Sequence, residues 1–367
     1  MAAKNVGTRP KKKKKSSAKR KKNKILLFIL EIVLLVVLLI VLYAVMTVEK
    51  VNKVSIDPEN IEVNEAVKDN EILKGYRNIA LFGVDARDKS LGKGNRTDTI
   101  IIASVNLDTG EVKLVSVYRD TYLNLGNDTY NKCNAAYSLG GPEQAINMLN
   151  MNLDLNITDY ITVGFTGLEK TVDALGGVEI NILEKEIRHL NNYQISMVGT
   201  STDGKTFVAE EGKDYTPITQ AGVQTLNGLQ ATAYCRVRQV GDDFMRAERQ
   251  REVLSAIMEK AQKSNPATLN KILNEVLPYV STSLDVDEML EVLGEITKYN
   301  IVGKDGFPFE EYRTTANLGG SKGSCVIPVD LKTNVVKLHE FLFNTAEYEL
   351  SQEVQKYSQI ISNDTGR

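Results

Sequence analysis

The sequence predicts an α/β fold: a single α-β-α sandwich domain around a central mixed sheet, preceded by one N-terminal transmembrane helix. Three observations carry this expectation. From residue 78 onward, short β-branched runs alternate with segments of helical periodicity, the pattern of a sheet covered by helices. Two of those runs, "TIIIASVNL" and "EVKLVSVYR", are separated by Asp108-Thr109-Gly110, a hairpin turn of the expected chemistry. Residues 25–48, "ILLFILEIVLLVVLLIVLYAVMTV", are 24 residues interrupted by one charge, Glu31, long enough to cross a bilayer as a helix.

The termini come first. Lys4 to Lys24 carries twelve Lys and Arg and no acid, which leaves 33 basic against 47 acidic residues in the rest of the chain. The positive-inside rule keeps residues 1–24 in the cytoplasm and exports everything beyond about residue 49. Met46-Thr47-Val48-Glu49-Lys50 offers no small-residue cleavage site, so the apolar stretch reads as an uncleaved anchor at the cell membrane. The polybasic tail suits anionic membrane lipid. It has no aromatic residue to stack on bases, which argues against nucleic acid. Residues 49–75 are polar and read as a stalk, 76–350 as the folded α/β domain, and 351–367 as a polar, frayed tail.

Within the body, "NIALFGV" at 78–84 is the opening strand and the hairpin follows it. A helix is expected from Gly141, with Pro142 in its first turn, through Leu153. "DYITVGF" is a strand, "GLEKTVDAL" a helix closed by Gly176-Gly177, and "VEINI" another strand. Residues 188–217 lack periodicity and read as a long surface loop. A helix is expected from Asp242 to about Lys263, its apolar stripe formed by Leu254, Ile257, Met258 and Ala261. Two amphipathic helices follow near 267–277 and 286–299, then "CVIPV" and a last helix from about Asp330 to Thr345.

Several chemistries are disfavoured. Cys133, Cys235 and Cys325 form no metal or redox spacing, although export permits a disulfide among them. With only His189 and His339, a histidine-based triad or zinc site has little to draw on, and no HExxH, GxSxG or Walker A spacing occurs.

Three short regions join charge to a strand end or a turn. In "FGVDARDKSLGKGNRTDTI", Asp85 follows one strand and Asp98 precedes another, which places both at one sheet edge, where α/β sheets bind ligands. Two carboxylates without histidine suit Mg²⁺. The competing reading makes Asp85 a turn residue and Asp98 the ion-pair partner of Arg96. In "VSVYRDTYL", hairpin pairing brings Arg119 towards Asp98. The third region, "RVRQVGDDFMRAERQR" at 236–251, holds five arginines. Arg236 and Arg238 are two apart in what reads as extended chain, and Arg246, Arg249 and Gln250 share a face of the following helix. Arg246 falls in that helix's first turn, whose free N–H groups favour an anion. Guanidinium groups grip phosphate oxygens in pairs. Neutralisation by Asp242, Asp243 and Glu248 is the alternative, but three acids do not balance five bases.

The ordered motifs "LFGVDAR", "NRTDTI", "VSVYRDT", "KCNAAYSLGG", "DYITVGFTGLEKTVDALGGVEI", "LNGLQATAYCRVR" and "GDDFMRAERQR", spanning about residues 76–263, resemble the LytR-CpsA-Psr family. The resemblance implies a transferase of cell wall biogenesis. Such an enzyme moves an anionic glycopolymer, teichoic acid or capsule, from a polyprenyl pyrophosphate carrier to peptidoglycan. It implies Asp85 and Asp98 as Mg²⁺ ligands, and Arg119, Arg236, Arg238 and Arg246 as the pyrophosphate-lipid site. Gln250 assists, and Arg87 and Arg96 are further candidates. Asp85, Asp98 and Arg119 would be catalytic. Tyr118 departs from the family, which usually has proline before the Arg-Asp pair. Hydrolysis of the same pyrophosphate and a non-enzymatic, envelope-sensing membrane regulator are the alternative functions.

Overall fold

The computed structural model describes residues 52–53, 56–86, 90–201, 203–345 and 347–367. The basic tail, the apolar stretch 25–48 and Arg87 lie outside the described residues. Among the described residues, no helix is long and apolar enough to cross a membrane.

Strict two-residue alternation builds the main sheet and gives it two different faces. Its strands are β1 (Asn52–Lys53), β2 (Tyr76–Val84), β3 (Thr97–Asn106), β4 (Glu111–Val117), β7 (Asp159–Gly164), β10 (Val280–Thr282) and β11 (Asn300–Phe307). Three two-stranded antiparallel sheets accompany it: β5 (Tyr122–Asn124) with β6 (Tyr130–Lys132), β8 (Val178–Ile182) with β9 (Gly222–Leu226), and β12 (Arg313–Asn317) with β13 (Ser324–Pro328). The sheet order is β1-β10-β7-β2-β3-β4-β11. It is mixed, as expected: β2 pairs with β3 antiparallel and with β7 parallel. The hairpin of β3 and β4 turns at the expected Asp108-Thr109-Gly110, where Gly110 takes φ 73°.

One face of the sheet is sealed. Ala80, Phe82, Val84, Ile100, Ile102, Val115 and Val117 pack into the largest core with α3 (Asn134–Leu153), α10 (Leu331–Phe343) and α11 (Gln352–Thr365). On the opposite face, Ile101, Ala103, Val112 and Leu114 pack on α7 (Asp243–Gln262) through Leu254. A third cluster joins α4 (Phe165–Ala174), α5 (Glu184–Val198), α6 (Gly228–Arg236) and α7 to the β8/β9 pair. Two more helices follow: α8 (Pro266–Val276) stands close to its expected bounds, whereas α9 (Val286–Gly294) stops five residues short of them and gives way to a 3-10 turn at Ile296–Lys298.

Four expectations are corrected. The segment read as a stalk contains α1 (Glu65–Lys68) and α2 (Glu71–Lys74), whose Val67 and Leu73 enter the main core. Helix α3 starts at Asn134, not Gly141; Gly141 at φ 74° and ψ −158° breaks it, and Pro142 opens the second half as foreseen. Helix α5 runs to Val198, over the first eleven residues of the supposed loop, while 199–217 form no helix or strand beyond isolated bridges among the described residues. The helix's polar sequence hides a buried side, on which Leu190 packs, and Asn191 exchanges hydrogen bonds with the Ile218 backbone at 2.8 and 2.9 Å. The supposed frayed tail is α11, held by Val354, Tyr357 and Ile361.

His339 on α10 is fully enclosed. Its Nε2 donates to the Leu153 carbonyl at 3.0 Å and its ring stacks on Tyr348 with centroids 3.6 Å apart. Burial pushes its pKa down to about 4. Between the ordinary value of 6.5 and about 4, the unfolded chain takes up a proton that the folded chain refuses. This residue therefore removes stability as pH falls through that window, by about 3 kcal/mol in all. Urea unfolding of His339→Gln across that range is expected to show a correspondingly flatter pH dependence than the unsubstituted chain.

Candidate active site

The carboxyl ends of β2, β4 and β7 and the start of β3 share one sheet edge, and the charged residues gather there. Asp85 is the first residue after β2; it is exposed and makes no hydrogen bond or ion pair among the described residues. Asp98 arrives differently from expectation, because β3 already begins at Thr97. Gly83 pairs with Thr99 and Val84 with Thr97, which leaves Asp98 as the extra residue of a β-bulge. A bulge re-aims a side chain, and this one turns Asp98 to the mouth of a pocket. Gly83 allows it: a Cβ there would lie 2.8 Å from the Thr99 Cβ and Oγ1.

Three arginines meet on Asp98. Arg119, at the end of β4, donates from Nη1 to Oδ1 at 2.6 Å, as the hairpin register foretold. Arg238 donates to Oδ2 at 3.3 Å. Arg246 donates to the Asp98 backbone carbonyl at 3.2 Å and to Asp243 at 3.0 Å. Asp243 also faces Arg119 at 3.6 Å. Burial opposes the charge on Arg119, yet Asp98, Asp243 and Asp120 outweigh it and hold that guanidinium above its ordinary value. Arg246 is the reverse case. Burial, with Arg119 and Arg238 adding to it against Asp243 and Asp98, lowers its pKa to about 10. The Arg246 charge is thus held in poorly hydrated surroundings, a condition that an added anion relieves.

Arg236 is not in extended chain; it is the last residue of α6 and so stands apart from Arg238. Its guanidinium lies 4.5 Å from the Phe165 ring centroid and 5.5 Å from that of Tyr193. Gln250 donates to the Cys235 carbonyl at 3.4 Å. Asp85, Asp98, Arg236, Arg238, Arg246 and Gln250 all line one pocket of about 550 Å³, within the roughly 300–1,000 Å³ typical of ligand sites. Its floor is the unsealed face of the sheet, with Leu81, Gly83, Thr99, Ile101, Ile161 and Val163. Its roof includes Phe165, Leu168, Val253, Leu254 and Ile257. The cavity is thus apolar along its length and cationic at the sheet edge.

Arg96 stays outside this cluster, exposed and unpaired among the described residues, so the reading that paired it with Asp98 is not what the fold adopts. Asp242 serves as the N-cap of α7, accepting from the Phe244 and Met245 amides at 3.0 and 3.1 Å. Tyr193 is a site residue that sequence reasoning missed, because it lay in the supposed loop and no local signal marked it; Phe165, read as the end of the strand "DYITVGF", instead opens α4.

Comparison with known proteins decides the family. A model of the LytR_cpsA_psr family matches residues 39–318. The chain belongs to that family. The curated relatives include several named polyisoprenyl-teichoic acid–peptidoglycan teichoic acid transferase TagU. One, from Enterococcus faecalis, is 31% identical over 218 residues, 58% of this chain and 63% of the relative. Another, from Oceanobacillus iheyensis, is 32% identical over 241 residues, 63% and 65% of the two chains. The chain therefore spans just under two thirds of these two relatives' lengths. A solved structure of TagT (YwtF) from Bacillus subtilis, described as holding octaprenyl pyrophosphate lipid, has the same fold. It aligns with a TM-score of 0.52 at 20% identity, covering 86% of this chain and 100% of that one.

Not every arginine of the family's "RVRQVGDDFMRAERQR" motif faces the pocket. Arg249 is buried against Glu186, also buried, at 2.7 Å, and donates to the Val237 and Val240 carbonyls at 3.0 and 2.6 Å. It ties the loop carrying Arg238 to α5 and α7. The three cysteines are free and buried, and burial pushes the pocket thiol, Cys235, up to about 12, which keeps it protonated and poorly nucleophilic. Arg249→Ala strands the Glu186 carboxylate and is expected to lower the unfolding free energy by about 3–5 kcal/mol in urea titration.

Proposed function

We propose that this chain is a membrane-anchored phosphotransferase that moves an anionic glycopolymer, of teichoic acid or capsular type, from a polyprenyl-pyrophosphate carrier to peptidoglycan. The observation that carries the proposal is the apolar pocket capped at one end by Arg236, Arg238 and Arg246. An apolar groove suits a polyprenyl chain and the arginines suit its pyrophosphate. The names of the TagU relatives and of the lipid-bound TagT structure point the same way. Residues 25–48 would hold the site at the outer membrane face, within reach of a carrier that cannot leave the lipid.

In the reaction proposed, a sugar hydroxyl of peptidoglycan attacks the phosphorus bearing the glycopolymer. The bond to the bridging oxygen breaks, the hydroxyl's proton passes to one of the mouth carboxylates, Asp85 or Asp98, and polyprenyl phosphate leaves. Arg119, Arg238 and Arg246 are positioned to stabilise the non-bridging and departing oxygens, the main protein contribution to phosphoryl transfer. Asp85 and Asp98 offer two hard oxygen donors at one mouth. They fit Mg²⁺, which takes one or two carboxylates and fills its remaining positions with water and phosphate oxygens. Bound there, Mg²⁺ would offset charge developing on the phosphates. Asp85 has its oxygens open for that role, whereas Asp98 already orders the arginines.

The test is transfer by the purified full-length chain in detergent, with a polyprenyl-pyrophosphate-linked glycan as donor and with or without peptidoglycan. Linkage to peptidoglycan is expected, with a fall of about 10²-fold or more in Arg119→Ala and Arg238→Ala. Release of glycan at the same rate without acceptor would sink the transferase reading in favour of hydrolysis.

A further inference from the structure

One residue away from the Arg119–Asp243 contact, their chain neighbours make a second one. The rings of Tyr118 and Phe244 meet edge to face with centroids 4.5 Å apart. Arg313, the first residue of β12, covers both rings: its guanidinium carbon lies 3.9 Å from the Phe244 centroid and 5.0 Å from that of Tyr118. Its Nη1 donates to Tyr118 Oη at 3.1 Å and to the Pro308 carbonyl at 3.3 Å. Tyr118 in turn donates its backbone N–H to the Phe307 carbonyl at 3.0 Å. Gly306 leaves room for the phenol, since a Cβ there would collide with Tyr118 Oη. Segments around residues 118, 244 and 306–313 therefore converge on a stack none of whose three members lines the pocket.

The placement of this stack suggests what it does. Arg119, Arg238 and Arg246 repel one another, and Asp98 and Asp243 balance them only if the end of β4 and the start of α7 stay in register. Edge-to-face packing and a guanidinium laid on ring faces are directional contacts, and a planar arginine suits them better than a lysine. We propose that Tyr118, Phe244 and Arg313 form a positioning clamp. The clamp sets Arg119, with Asp243 held against it, for the phosphate-bearing substrate. The inference rests on the function proposed above and gives residues 306–313 a part in that site.

The test is a double-mutant cycle on the full-length chain in detergent micelles, with octaprenyl pyrophosphate as the probe and calorimetry as the readout. Arg313→Ala is expected to weaken binding about tenfold in the unsubstituted background and by less than about twofold beside Arg119→Ala, because it acts through Arg119. A general loss of stability would weaken both backgrounds alike. Unfolding midpoints establish that each variant is folded. Should Arg313→Ala fail to fold, Tyr118→Phe, which removes only the hydroxyl that accepts from Arg313, enters the same cycle with an expected loss of about threefold confined to the Arg119 background. Equal losses in both backgrounds, or no loss in a folded variant, would overturn the clamp alone. Failure of the unsubstituted chain to bind the probe would overturn the functional reading and the clamp with it.

Discussion

Guanidinium groups of like charge do not gather at one point unless a carboxylate stands among them, and in this protein Asp98 is that carboxylate. It takes one arginine on each carboxylate oxygen and a third on its backbone carbonyl. The three come from the end of β4 and, more than a hundred residues later, from the loop after α6 and the first turn of α7. Their convergence depends on the bulge that turns Asp98 to the pocket and on Gly83, which lets β2 approach β3 there. Asp243 repeats the arrangement on a smaller scale between Arg119 and Arg246. Burial nonetheless leaves the Arg246 charge poorly hydrated and lowers its pKa, a condition that favours an added anion at the mouth.

The sheet serves the site by treating its two faces differently. Alternate residues of β2 and β3 enter a sealed core with α3, α10 and α11, while their neighbours Leu81, Gly83, Thr99 and Ile101 floor a cavity. A sheet packed tightly on both sides has no room for a long apolar ligand. Here α4, α6 and α7 stand over the second face and leave a slot. The C-terminal third contributes on both counts: α11 completes the sealed core, and Arg313 reaches back to the strand end that carries Arg119.

Much of this was legible from local chemistry. The alternation of β-branched residues marked β2, β3, β4, β7 and β8, and the turn Asp108-Thr109-Gly110 paired β3 with β4 closely enough to place Arg119 near Asp98. Asp242 was recognisable as the start of α7, and Gly176-Gly177 as the end of α4. Other features left weak signals. Helix α5 has polar residues on most of its surface, and α11 combines a short apolar stripe with a polar C-terminal sequence, so neither showed a clear period. Arg236 belonged to a helix because Asn227 and Gln230 form a capping box nine residues upstream, a pattern overlooked beside the charge.

The chain's own pattern was enough to establish the fold class, the family motifs and the residue types of the site, because strand period, turn chemistry and capping act over a few neighbouring residues. Which arginines share the pocket was decided only in three dimensions. Arg249 and Arg246 lie three apart on one helix, yet Arg249 is consumed by Glu186 while Arg246 faces the mouth. Arg236 is held by aromatic faces from α4 and α5, and Tyr118 by a glycine nearly two hundred residues away. Whether a charge is compensated depends on partners that the fold brings from distant segments, and no spacing along the sequence carries that information.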